Sequence, residues 1–374
     1  MLKQIKVKTQ CSSYSIYTGS GILHEIQAWA NAKHNKVSRF FIIADQKLFK
    51  TARLLTHDLK KAGFLCSTVF VEATEELKEI TQVYPLYDKL IKAKADRRSC
   101  VIALGGGVVG DVVGFVAGTY LRGIRWVGIP TTLLAQVDSS IGGKTGINHE
   151  TGKNLIGVFH QPSLVLLDRD LLKTLPYRER VSGLGEIIKY ALAFDPPFFV
   201  YLQKHWRAVL DLDSSTLSYC ITKCAQWKAR VVSEDPYETK GLREFLNLGH
   251  TLGHALEAAT QYQVFRHGEA VLLGCRAAAL LSLRKGILSD KSYQAIDSFL
   301  REVPVPAIPK TLSVKKILSF VKRDKKTREG QLRFVLLLGI GKCAANTEIT
   351  SHDIDTVIQS LRGKPKDSMS LRMR

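Results

Sequence analysis

At 374 residues the chain exceeds one ordinary compact domain, so two domains are expected. Apolar residues make up 45% and charged residues 24%, which excludes general disorder. No segment carries the roughly 20 uncharged apolar residues of a spanning helix, nor the apolar run of a signal peptide, so a cytoplasmic protein without a membrane partner is expected.

The net charge of +20 would draw polyanions. However, zinc-finger spacing, a basic helix feeding heptads and an aromatic RNA-binding signature are missing, and a specific nucleic-acid partner is not expected. The dense stretch Lys322-Arg323-Asp324-Lys325-Lys326 and the run from Lys364 to Arg374 read as solvated faces or chain ends. Small anionic ligands remain as the partners a positive pocket would attract. Seven cysteines, odd in number and scattered, read as reduced thiols, with Cys220 and Cys224 core or surface groups one helical turn apart.

Along the first half, short β-branched runs at 40–44, 67–71, 100–104, 125–129 and 163–167 alternate with helical stretches. Strands of a parallel sheet covered by helices on both faces read as such continuous apolar runs, and a parallel α/β domain over residues 1–175 is expected. From about Pro176 the pattern lengthens to helical stretches such as 197–210 and 214–232, which predicts a mostly α-helical domain over 176–374.

Three clusters carry chemistry. Directly after Leu104 comes Gly105-Gly106-Gly107-Val108-Val109-Gly110-Asp111, a glycine turn between strand and helix. Such a turn aims backbone N–H groups and the positive helix end at an anion and suits a dinucleotide pyrophosphate, although the spacing is not G-x-G-x-x-G. A tight turn without a ligand is the plainer alternative. The second cluster runs from Pro130 to Asn148, with Lys153-Asn154 close behind. There Asp138, Lys144, Lys153 and Asn154 are interleaved with glycines, a texture suited to hydrogen-bonding a polyhydroxylated anion, with a solvated loop as the alternative.

The third cluster is Asn247-Leu248-Gly249-His250-Thr251-Leu252-Gly253-His254-Ala255-Leu256-Glu257, followed by Arg266-His267-Gly268-Glu269. His250 and His254 stand at i and i+4, on one helix face, as in a metal-binding or metal-plus-base arrangement. Gly253 occupies the place of a protease's glutamate, so that base is missing. A carboxylate is available at Glu186 in Gly183-Leu184-Gly185-Glu186-Ile187-Ile188-Lys189, and two histidines plus one carboxylate leave zinc an open position.

In this order and separation, from about residue 45 to 341, the clusters resemble the dehydroquinate synthases and their sugar phosphate cyclase relatives. The resemblance implies a Rossmann-like NAD-binding domain, a helical metal- and substrate-binding domain, an active site in the cleft between them, and a homodimer. It implies zinc, with cobalt as the alternative, on Glu186, His250 and His267, leaving His254 as a proton-transfer group. NAD contacts carry over to Asp45, Glu75, Lys78, Gly106, Gly107, Asp111, Thr131, Thr132, Lys153 and Thr174. Substrate contacts carry over to Arg122, Asp138, Lys144, Asn154, Lys189, Lys228, Arg243, Asn247 and one lysine of the 325–326 pair, assigned to Lys326. Arg122 and Lys144 are counted with His254 as catalytic, and Glu238 aligns with an acid/base position.

The implied reaction converts 3-deoxy-D-arabino-heptulosonate 7-phosphate to 3-dehydroquinate and phosphate within the shikimate pathway, as a carbon–oxygen lyase. Its steps are oxidation by NAD, β-elimination of phosphate, return of the hydride, ring opening and intramolecular aldol closure. Two departures from the family pattern stand out. Gly185 replaces the usual alanine, and the segment Tyr237-Glu238-Thr239-Lys240-Gly241 is one residue longer. Competing readings are a cyclase acting on a substrate without a carboxylate, a metal-dependent polyol dehydrogenase and, from another class, a basic nucleic-acid-binding protein.

Overall fold

The computed structural model describes residues 2–10, 12–33, 35–324 and 332–362. It divides into two compact units, Met1–Gly183 with Arg207–Thr239, and Leu184–Trp206 with Lys240–Arg374. The expected boundary at 175/176 differs from this division, in which the chain leaves the first unit at residue 183 and returns to it at 207.

The first unit is built on seven strands: β1 (Lys3–Lys8), β2 (Ser13–Gly19), β3 (Arg39–Asp45), β4 (Leu65–Val71), β5 (Cys100–Gly105), β6 (Arg125–Pro130) and, after the hairpin β7 (Lys144–His149) and β8 (Gly152–Phe159), β9 (Leu164–Asp168). Their order in the sheet is β1-β2-β9-β6-β5-β3-β4, with only β1 and β2 antiparallel. Alternate residues of one strand serve opposite faces. Phe41 and Ile43 join Val101, Ala103, Val83 and Val112 on one side, while Phe40, Ile42 and Ala44 join Ile102, Leu104, Ile26 and Leu55 on the other. This two-sided burial is why the strands read as unbroken apolar runs.

Between the strands of this sheet come α1 (Glu25–Asn31), α2 (Phe49–Lys61), α3 (Ile80–Lys92) and α4 (Gly107–Thr119). The division of the chain falls within α5 (Tyr177–Phe194) and α6 (Pro196–Leu210), and α7 (Ser214–Glu234) lies in the first unit. There α7 packs on β1, β2 and the turn at Ala135–Ser139, and buried Thr222 hydrogen-bonds to Thr18 at 3.1 Å. In the hairpin, Gly146 and Gly157 face each other. A Cβ on either would stand 2.7 or 2.5 Å from the opposite strand's carbonyl, so the close pairing requires glycine at both.

The second unit holds the rest of α5 and α6, then α8 (His250–Ala259), α9 (His267–Arg284), α10 (Asp290–Glu302), α11 (Val314–Asp324), the hairpin β10 (Leu332–Gly339) and β11 (Lys342–Ile349), and α12 (Ser351–Arg362). Nearly every residue of α9 is buried, which a helix surrounded by neighbours requires. Glycines let α8 and α5 approach it closely. A Cβ on Gly274 would fall 1.8 Å from the Gly249 carbonyl oxygen, and one on Gly185 2.2 Å from that of Gly268. Among the described residues, no helix is long and apolar enough to cross a membrane.

Candidate functional site

Close packing of α5, α8 and α9 brings Glu186, His250, His254 and His267 together. The Glu186 carboxylate is fully buried, and its Oε1 stands 3.5 Å from His250 Nε2 and 3.4 Å from His267 Nε2. Donor atoms at the corners of a tetrahedron with zinc bonds of about 2.1 Å stand about 3.4 Å apart, so both carboxylate–imidazole spacings suit zinc. Each imidazole is also held from its far side. His250 Nδ1 lies 3.1 Å from the Leu248 carbonyl and His267 Nδ1 3.1 Å from the Glu257 carboxylate, which turns both Nε2 atoms toward Glu186.

The three histidines alone also offer donor atoms within 4.8 Å of one another, and His254 lies 5.3 and 5.6 Å, ring to ring, from His250 and His267. Glu186 would bring the negative charge that a buried dication needs, and it stands at ligand spacing from His250 and His267.

Electrostatics within the cluster are divided. Burial holds the His250 imidazole well below its usual range, against the pull of Glu186. Burial acts the same way on His267, but its hydrogen bonds to Glu186 and Glu257 prevail and raise it to about 10. A proton on His267 therefore stands where a metal cation would compensate the same carboxylates. Lys189, itself buried, meets the other Glu186 oxygen at 2.5 Å.

Glu257 has no role in the reading of the sequence, yet it orients His267. Its signal was present: residues 250, 254 and 257 follow i, i+4, i+7, one helix face.

In the first unit, the residues assigned to a dinucleotide cluster past the C-terminal ends of the parallel strands. Asp45 ends β3, Glu75 and Lys78 follow β4, Gly106 and Gly107 follow β5, Thr131 and Thr132 follow β6, and the exposed Thr174 follows β9. Strand order reverses between β3 and β5, where open α/β sheets leave a crevice for ligands. Helix α4 starts there at Gly107 with no side-chain cap among the described residues, so its first N–H groups are available to an anion. A Cβ on Gly106 would meet Thr132 at 3.0 Å, and one on Gly107 would meet Ser139 Oγ at 3.2 Å. The site thus fits a dinucleotide, and glycine is what leaves it open.

Lys78, Asp111, Lys153 and Glu75 at this crevice are already paired. Lys78 meets Asp111 at 2.7 Å and also Asn154, while Lys153 meets Glu75 at 3.4 Å. Burial raises the Asp111 carboxyl above its ordinary range despite the Lys78 ammonium beside it.

Among the residues assigned to substrate, Lys228 meets Asp138 at 2.7 Å and Lys144 pairs with Glu238. Glu238 has φ +59°, in the left-handed region. Arg122 is exposed with φ +65°, Arg243 is buried in the short turn Leu242–Asn247, and Asn247 at its end is exposed. Lys325 and Lys326 lie outside the described residues.

Residues 68–182 match the family described as 3-dehydroquinate synthase N-terminal, and residues 183–327 match 3-dehydroquinate synthase C-terminal. A curated 3-dehydroquinate synthase of Desulforamulus reducens is 41% identical over 356 residues, covering 95% of this chain and 99% of its own.

Among solved structures, 2-deoxy-scyllo-inosose synthase complexed with carbaglucose-6-phosphate, NAD+ and Co2+ superposes with a TM-score of 0.86 at 26% identity, over 96% of this chain and 99% of the other. The 2-epi-5-epi-valiolone synthase of Streptomyces hygroscopicus subsp. jinggangensis 5008, with NAD+ and Zn2+ bound, gives 0.83 at 26% identity, over 94% and 97%. The chain belongs to the 3-dehydroquinate synthase family.

Proposed function

We propose that the chain converts 3-deoxy-D-arabino-heptulosonate 7-phosphate to 3-dehydroquinate with release of phosphate, a carbon–oxygen lyase reaction of aromatic amino acid biosynthesis. The observation that carries this reading is the buried Glu186 oxygen at zinc-ligand spacing from two imidazoles. In it, Glu186, His250 and His267 hold zinc or cobalt, and the residues past the strand ends of the first unit hold NAD. When bound, the metal eases loss of a substrate hydroxyl proton and NAD takes up and later returns one hydride.

The chain's own residues supply positioning and proton movement. His254, one turn below His250, carries protons to and from the substrate. Lys144 and Lys228 are held by Glu238 and Asp138, so both ammonium groups are oriented before an anion arrives. Arg122, Asn154, Lys189, Arg243, Asn247 and Lys326 complete the polar contacts for the carboxylate, hydroxyl and phosphate groups in this reading.

Phosphate release from 3-deoxy-D-arabino-heptulosonate 7-phosphate, followed with NAD and metal removed separately and restored, tests it. Activity should require both and return when both are restored. Release that persists after chelation and NAD removal would overturn the assignment.

A further inference from the structure

Among the described residues, two hydroxyls beside the glycine turn have no hydrogen-bond partner. The Oγ atoms of Ser139 and Ser140 are both buried, and both line a pocket that also includes Gly106, Gly107, Asp111 and Lys144. A buried hydroxyl left unpaired carries the full cost of its lost hydration, so an unfilled hydroxyl in a pocket wall points to a missing partner.

Its direction is set by the backbone. Residues Ala135–Ser139 form a π-helical turn, in which Ser140 N donates to the Ala135 carbonyl at 3.2 Å. Such turns are rare and recur where function demands them. This one lets consecutive residues serve different partners: Asp138 meets Lys228 at 2.7 Å, while Ser139 Oγ lies 3.2 Å from where a Cβ of Gly107 would be. The hydroxyl therefore faces the first residue of α4, whose opening N–H groups no side chain caps.

We propose that Ser139 is a ligand-binding residue whose hydroxyl donates to an anionic oxygen of the dinucleotide pyrophosphate, completing the cradle formed by the start of α4. This deepens the NAD reading above and rests on it. Glycine at 107 is then required twice, to free the helix N-terminus and to admit the Ser139 hydroxyl.

The test uses the zinc-loaded enzyme and binding rather than turnover. Titrations of NAD, ADP-ribose and AMP can be followed by protein fluorescence, since Trp126 lines the same pocket. In Ser139→Ala, affinity for NAD and for ADP-ribose should fall alike, by roughly tenfold, as loss of a hydrogen bond to a charged group predicts. AMP, which has no pyrophosphate, should change less than about twofold by the same reasoning. Ser139→Cys, similar in shape and a weaker donor, should fall in between and serves if the alanine variant folds poorly.

Unchanged NAD affinity in Ser139→Ala would overturn the proposal and leave the hydroxyl to a buried water. A loss seen with NAD but not ADP-ribose would overturn it in favour of the nicotinamide end. Wild-type enzyme that binds neither ligand would overturn the dinucleotide reading, and this proposal with it.

Discussion

At the scale of single residues, substitutions separate the proposed ligands from their neighbours. His250→Ala should lose bound zinc and activity together, measured by metal analysis of the purified protein, because the remaining Glu186 and His267 make only two of three ligands. By contrast, His254→Ala should keep its zinc and lose on the order of a hundredfold in rate, the share of a positioned acid/base. Zinc loss in that variant would make His254 a ligand. Glu257→Gln should weaken zinc affinity by roughly 10- to 100-fold in a chelator competition, since its carboxylate orients His267 through Nδ1.

The His250–His254 pair was legible because helical spacing alone puts both on one face. That His267 and Glu186 complete the cluster was not legible from spacing, because their approach depends on glycine contacts between helices far apart in sequence. The sequence offered Glu186 as an available carboxylate, and the assignment of Glu186 and His267 as ligands with His250 came from resemblance. Ser139 fell within the second cluster but was given no role, since a π-helical turn leaves no signature in the sequence.

Elements carry their own predictions. Gly274→Ala would place a Cβ 1.8 Å from the Gly249 carbonyl, at the cap of the helix that begins with His250. Forced apart, α8 and α9 should cost about 1–3 kcal/mol in thermal or denaturant unfolding, as overpacking does. Zinc should also be held less tightly, because the same contact brings His250 near His267.

Helix α7 offers a pH test. Asp213 caps it, accepting from Thr216 N at 2.8 Å, and the backbone hydrogen bond to Thr216, with those from the Thr216 and Ser215 side chains, lowers its carboxyl to about 2 from 3.8. A depressed carboxylate stabilises above its unfolded value and loses that contribution as pH falls through the folded one. Asp213→Ala should therefore lower Tm at neutral pH, and the gap to wild type should close between about pH 4 and pH 2. A gap independent of pH would remove the charge from the cap.

The parallel strands and α7 were legible because burial on both sheet faces and a 3.6-residue period write themselves into composition. The hairpins were not. In β7 and β8 the pairing depends on Gly146 and Gly157, which in sequence look like loop residues, and β8 leaves Leu155, Ile156 and Phe159 exposed. No alternation of apolar and polar side chains marks such a strand.

For the whole molecule, charge and redox balance set what should be seen in solution. A net charge of +20 surrounds every anionic ligand with an attractive field, which salt screens. The apparent affinity for the substrate should therefore fall as ionic strength rises, but this would hold for any basic protein and does not identify the reaction. Redox balance does. The proposed conversion takes one hydride from the substrate and gives it back before ring closure, so NAD acts as a catalyst and no net oxidation occurs. A metal-dependent polyol dehydrogenase would instead leave one NADH for each product and stop when NAD ran out. Supplied with zinc, excess substrate and a trace of NAD, the enzyme should release phosphate over many turnovers per NAD while absorbance in the NADH band shows no lasting rise. Stoichiometric NADH formation would contradict the assignment even if every metal ligand were correct, because it would mean that the hydride is never returned.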